Sequence, residues 1–263
     1  MRHIAHIRAV VSDFVSREAG RSVALRTLRG PELDVSVDAE VPRPAASTLK
    51  IPIVIEVLRR IRKGIIGGCD RVRREELGKT VFPTLLNVFR WDHEFTVQEL
   101  CGITLATSDN LTAQYLLETV GPPAVNDLLS SLGCHASRLQ VGFRDFELSP
   151  IGRANITTAA DQVRLLSHLH GSPEDEQVLL AMENGLRKSR TALRFPEDLR
   201  IANKTGSLNG VANDVALIRD GGLHLAVSVL TDGQKDTATT AIEIGDMVFT
   251  IWRELGGRVD EFG

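Results

Sequence analysis

Charge of one sign is what this chain lacks most plainly: 31 basic residues against 34 acidic ones leave a net of −3. That balance gives no electrostatic case for a nucleic acid or an anionic membrane as partner. No apolar run reaches the length that crosses a bilayer. The first twenty residues also lack the continuous apolar stretch of a secretion signal. Ile4, Ile7, Val10, Val11 and Phe14 recur instead at helical spacing, with charges between them. The sequence as it stands therefore reads as cytoplasmic, and as periplasmic or secreted if a leader was removed ahead of Met1. Cysteine is scarce. Cys69, Cys101 and Cys134 are an odd, widely spaced set without the paired spacing of a zinc site, and are expected to be reduced and buried. His168 and His170 flank one leucine and read as a surface pair, so neither metal nor cofactor is expected. Internal repeats and low-complexity linkers are absent as well.

What is present is an ordinary globular composition, 43% hydrophobic and 25% charged, in 263 residues, enough for one large core. After the N-terminal helix, "RSVALRTLRG" and "ELDVSVDAE" alternate as half-buried strands. Helical periodicity then dominates from Ser47 to about residue 190, with a capped helix starting at Thr157 or Thr158. In the tail, "RIANKTGSL", "VANDVALIRD" and "LHLAVSVLTD" form three strands joined by Asn209-Gly210 and Asp220-Gly221-Gly222, turns suited to antiparallel neighbours. An amphipathic helix, "ATTAIEIGDMVFTIWREL", closes the chain. Strands at both ends around a helical middle predict an α+β fold: an antiparallel sheet flanked by the terminal helices, beside an all-α lobe. We expect one domain over 1–263, with a discontinuous sheet lobe (about 1–45 and 196–263) and a helical lobe (about 46–195).

Three short motifs carry chemistry. Ser47 and Lys50 stand three apart where a loop becomes a helix, hence on one face, with Ile53, Val54, Val57 and Leu58 behind them. A serine is a weak nucleophile unless a base adjoins it, and a lysine in a dry pocket can be that base. Read alone, Ser47 is a helix cap and Lys50 a solvated charge, and the rest of the chain must decide. Ser108-Asp109-Asn110 lies between two helices and is by itself a good cap for the second. Lys204-Thr205-Gly206, on a strand before a turn, is by itself an edge strand with an exposed lysine.

Taken together and in this order, Ser-x-x-Lys, Ser-Asp-Asn and Lys-Thr-Gly are the motif set of class A β-lactamases and penicillin-binding proteins. The chain resembles the class A serine β-lactamase family over nearly its whole length, through "STLKIPIVIEVL", "FTVQELCGITLATSDNLTAQYLL" and "NKTGSLNGVANDVALI". The resemblance implies roles. Ser47 would be the nucleophile and Lys50 its proton acceptor. Ser108 would relay a proton to the leaving nitrogen, held by Lys204. Asn110 would bind the substrate's side-chain amide. The N–H groups of Ser47 and Ser207 would form the oxyanion hole, and Gly206 would admit substrate against the strand. Thr205 and Ser207, with Lys204, would receive a substrate carboxylate. The partner implied is a small β-lactam, amide or ester, acted on by a monomer.

Two departures stand out. The family's Arg-x-Glu-x-x-Leu-Asn loop, whose glutamate activates the deacylating water, has no match in "SRLQVGFRDFELSPIGRANITTAADQ"; alignment from both ends puts Phe143 at the glutamate. Glu147 is the candidate replacement, and Asp145, next to Arg144, is expected to point outward. The family's arginine for a substrate carboxylate is also missing from its usual places, where Asn213 and "TDGQKDTATTA" stand. Asn213 is taken as the substrate-binding residue there. The expected function is a β-lactamase-type serine hydrolase with slow or altered deacylation. The alternatives are a penicillin-binding or sensing protein that keeps its acyl group, and an esterase or amidase on a non-lactam substrate.

Overall fold

The computed structural model describes residues 2–80, 83–143 and 154–259. Its centre is a five-stranded antiparallel sheet made from both ends of the chain. β1 (Arg21–Arg29) and β2 (Asp34–Val37) come from the N-terminal part, and β7 (Arg200–Leu208), β8 (Val211–Asp220) and β9 (Leu223–Thr231) from the C-terminal part. The order is β2-β1-β9-β8-β7, so β7 is an edge strand. Gly210 and Gly221 take positive φ in the two predicted turns, where a side chain would be strained.

Alternation along the strands divides the apolar residues between two cores. Ala216 and Ile218 of β8, with Leu225, Val227 and Val229 of β9, face helices α1 (Arg2–Ser16) and α8 (Thr237–Glu254), where Ile7, Val11, Phe14 and Trp252 are buried. Val215 and Leu217, with Ala226 and Leu230, face a larger core shared with the helical middle. That middle comprises α2 (Lys50–Arg62), α3 (Val97–Thr107), α4 (Asn110–Val120), α5 (Pro122–Ser131), α6 (Ala159–Ser167) and α7 (Pro173–Glu183). The predicted antiparallel sheet and its flanking terminal helices are observed, beside a mainly helical lobe that also carries three short strands. The α6 start resolves to Thr158, whose side chain caps the helix by accepting from the Asp161 N–H at 3.1 Å.

Two small pairings escaped the pattern analysis because each strand has only two or three residues. β3 (Arg43–Pro44) pairs with β6 (Ile156–Thr157), and β4 (Arg71–Arg73) with β5 (Glu94–Thr96). The first one matters to the site. Asn155, just before β6, is fully buried; its backbone oxygen accepts from Ala45 N–H, and its side chain ties down Gln140 and Val141. It thereby fixes the turn before Ser47 and the segment leading to Phe143 together. One expectation about cysteine is corrected: Cys101 and Cys134 are buried and free, but Cys69, in the turn before β4, is exposed. His168 and His170 are on the surface as expected. No helix among the described residues is long and apolar enough to cross a membrane.

Candidate active site

Ser47 sits in a single 3-10 turn, Ala46–Leu49, that runs directly into α2 at Lys50. Ala46 ahead of it holds φ +50°, a left-handed conformation that a non-glycine residue adopts at some cost. The open edge strand β7 lies against this turn. A Cβ added to Gly206 would stand 3.0 Å from Ala45 O and 3.3 Å from Ser47 N, so any larger residue would push the two backbones slightly apart. Ser47 itself is half-buried, at the surface of the cleft between sheet and helices.

Lys50 is completely buried, which rules out the solvated charge. Its Nζ donates to Ser108 O at 2.6 Å and Asn110 Oδ1 at 2.5 Å, and lies 3.4 Å from Ser108 Oγ. Both first partners can only accept. A neutral amine can therefore keep those two hydrogen bonds and still have a lone pair to take a proton. The α3–α4 junction presents these oxygens because Ser108 takes a left-handed conformation, φ +63°, after which Asp109 caps α4 through the Thr112 N–H at 2.9 Å. The capping reading of the Ser-Asp-Asn motif is thus correct for Asp109 alone, while its two neighbours turn to Lys50.

Lys204 reaches the same hydroxyl from the sheet. Its Nζ donates to Ser108 Oγ at 2.8 Å and to Thr205 O at 2.9 Å. Burial, then repulsion from Lys50, Arg187 and Arg190, holds the Lys204 amine well below its ordinary value of 10.5; Asp214 alone opposes this. The unfolded chain therefore binds this proton more tightly than the folded one. The stability withheld by the proton is fully present above 10.5 and lost as pH falls toward the lowered folded value. Lys204→Met is thus expected to gain thermal stability over the parent at pH 6, and to lose that advantage progressively as pH rises toward 10. Parent and variant melting curves across that range would check it; an advantage that grows with pH would contradict the assignment.

Ser108 Oγ therefore lies between two amines, one from the helical lobe and one from the sheet. Among the described residues, Lys50 Nζ is directed to Ser108 and Asn110. Four of the sequence-predicted residues, Lys50, Ser108, Asn110 and Lys204, form one hydrogen-bonded cluster, and Ser47 borders it one turn before Lys50.

The rest of the site departs from expectation in part. Asn213 does not face substrate. It is fully buried, donates to Pro44 O at 2.7 Å and accepts from Thr231 N–H at 2.7 Å, so its side chain pins β8 and β9 to the β3 segment. Asn213→Ala would leave both of those groups unpaired, and is expected to cost about 2 kcal/mol, read as a fall in the urea midpoint. The cation that does stand in this region is Arg190, which sequence reading missed. Arg190 is 7% exposed; it donates to Gly206 O at 2.9 Å, to Asn213 O, and to Ser207 Oγ at 2.6 Å. Its neighbour Thr191 fixes it by donating its N–H to Asp214 at 2.9 Å. Thr205 is buried and Ser207 exposed on the outer edge of β7.

Phe143 is fully buried with its ring 5.0 Å from Lys50 Nζ, so the position aligned with the missing glutamate does face the lysine. Its N–H donates to Gln114 Oε1 of α4 at 2.7 Å. Glu147 and Asp145 lie outside the described residues.

A family model described as "Beta-lactamase enzyme family" matches residues 4–254. The chain belongs to the β-lactamase enzyme family. Within it, the chain is 24% identical over 257 residues to a β-lactamase regulatory protein, BlaB, of Streptomyces cacaoi, covering 78% of this chain and 81% of the relative. It is 28% identical over 177 residues to a β-lactamase of Streptomyces albus G, covering 62% and 55%. Among solved structures, a β-lactamase from Sphaerobacter thermophilus superposes with a TM-score of 0.84 at 26% identity, covering 96% of this chain and 97% of the other. The expected kinship with β-lactamases and the expected fold hold for this family member.

Proposed function

We propose that this chain is a β-lactamase-type hydrolase acylated at Ser47 by a β-lactam or a related amide or ester. The observation that carries this reading is the placement of Ser108 Oγ, 2.8 Å from Lys204 Nζ and 3.4 Å from Lys50 Nζ, beside the turn that bears Ser47. A proton leaving Ser47 has an acceptor in Lys50. From Lys50 it can pass to Ser108, and from Ser108 to the leaving nitrogen, while Lys204 stabilises negative charge developing on the Ser108 oxygen. The carbonyl oxygen of the substrate is received by the Ser47 and Ser207 N–H groups, an oxyanion hole formed across the close approach at Gly206. Asn110 binds the acyl side chain. Thr205, Ser207, Lys204 and Arg190 receive the substrate carboxylate.

Deacylation is slow in this scheme. Phe143 offers no proton acceptor where the family has its glutamate, and activation of water falls to Lys50 or to Glu147. A second reading, a sensor that keeps its acyl group, is favoured by that same hydrocarbon wall over Lys50 and by the likeness to a regulatory protein. Intact-mass spectrometry during reaction with benzylpenicillin and with a chromogenic cephalosporin separates them. An adduct that disappears over many turnovers supports the hydrolase, a stoichiometric lasting adduct the sensor, and no adduct refutes both.

A further inference from the structure

Two openings lead away from Ser108, and Arg187 borders both. One is a pocket of about 160 Å³ lined by Thr84, Ser108, Asp109, Asn110 and Arg187 among others. The other is a narrow recess shared with Lys204 and Thr205. Arg187 lies between α7 and β7, and its backbone oxygen accepts from Asn203 Nδ2 at 3.1 Å, which holds the residue at the rim of the cleft. Its side chain is exposed and makes no hydrogen bond or ion pair among the described residues, whereas Arg194, Arg200 and Arg219 each hold a carboxylate.

The anions nearby are already committed. Asp109 accepts from the Thr84 hydroxyl and the Thr112 N–H, and Asp214 from Asn203 and the Thr191 N–H. Lys50, Arg187 and Arg190 all bear on the Lys204 amine, so basic side chains crowd this cleft. One substrate carboxylate on the Arg190 side leaves Arg187 without a counter-charge.

We propose that Arg187 forms a second anion subsite on the leaving-group side of Ser108, and that the preferred substrates carry two acidic groups. This rests on the proposed acylation of Ser47 with Ser108 protonating the departing group. The group expelled past Ser108 enters the pocket that Arg187 closes, and a second carboxylate on it meets the guanidinium there. Because the arginine is solvent-exposed, the gain is modest and screened by salt.

Matched thioesters of N-phenylacetylglycine test it: one releases mercaptoacetate, with a single carboxylate, the other mercaptosuccinate, with two. The parent is expected to favour the mercaptosuccinate ester about fivefold in kcat/KM at low ionic strength, an effect of the size of an exposed ion pair. Arg187→Gln should bring the ratio to about one, and Arg187→Lys should retain part of it. A parent ratio near one, or a preference that survives in Arg187→Gln, overturns the subsite. If neither thioester nor benzylpenicillin acylates Ser47, the proposed function fails. Calorimetric binding of free mercaptosuccinate and mercaptoacetate to parent and Arg187→Gln then decides the subsite alone. A preference for the dianion that is lost with Arg187 supports it, and no such preference overturns it.

Discussion

Ser47→Ala is expected to abolish covalent labelling by benzylpenicillin, with the protein still folded. Ser47 is half-buried, lies beside the close approach of β7 at Gly206, and borders the Lys50–Ser108–Lys204 cluster. Ser108 carries the hydroxyl that lies against both amines, 2.8 Å from Lys204 Nζ and 3.4 Å from Lys50 Nζ. It is a poor candidate for attack, because Lys204 donates to its oxygen at 2.8 Å and occupies a lone pair. Peptide mapping of the labelled parent should therefore place one ligand mass on the peptide with Ser47. Lys50→Ala should slow labelling by about 10²-fold or more, the usual scale for loss of a general base. That variant removes a buried amine, so its melting curve must accompany the rate. Label that persists on Ser47→Ala, or that maps to Ser108, would show that the nucleophile has been misassigned.

How far the site could be read from sequence depended on whether its information was local. Ser47 with Lys50, Ser108 with Asn110, and Lys204 with Gly206 are each encoded within three or four residues, and those segments also have clear periodicity. Their meeting was inferable only from their order along the chain. Arg190 was not legible because its role depends on register. Only once β7 pairs with β8, putting Gly206 opposite Asn213, does a side chain fourteen positions before Lys204 touch both carbonyls and Ser207. The dipeptide Arg190-Thr191 was visible, but nothing in its spacing marked it. Asn213 failed for the complementary reason. Alternation says which face of a strand is buried, yet Asn213 is a polar residue on a buried face, and only its partners Pro44 and Thr231 explain it. Cys69 was misjudged because cysteine is usually buried, while this one lies in an exposed turn.

The departure at Phe143 leads to the last large effect. Hydrolysis of an ester on Ser47 needs a water and a base close to the carbonyl. Phe143 is fully buried with its ring facing Lys50, and the ring itself supplies no proton acceptor. Phe143→Glu is therefore expected to speed deacylation by about 10²-fold, the low end of general-base catalysis, and to abolish the pre-steady-state burst with benzylpenicillin. Stability should fall, since a carboxylate enters a buried position, though Lys50 is there to pair with it. Phe143→Leu separates the two requirements. It opens space for water without adding an acceptor, so it should leave the burst in place. If Phe143→Leu deacylates as fast as Phe143→Glu, exclusion of water rather than lack of a base limits the parent. If the parent shows no burst and turns over penicillins rapidly, another group already serves as base. Glu147→Gln then tests the first candidate, because a base lost there would restore the burst, whereas an unchanged rate would leave Lys50 to act in both half-reactions.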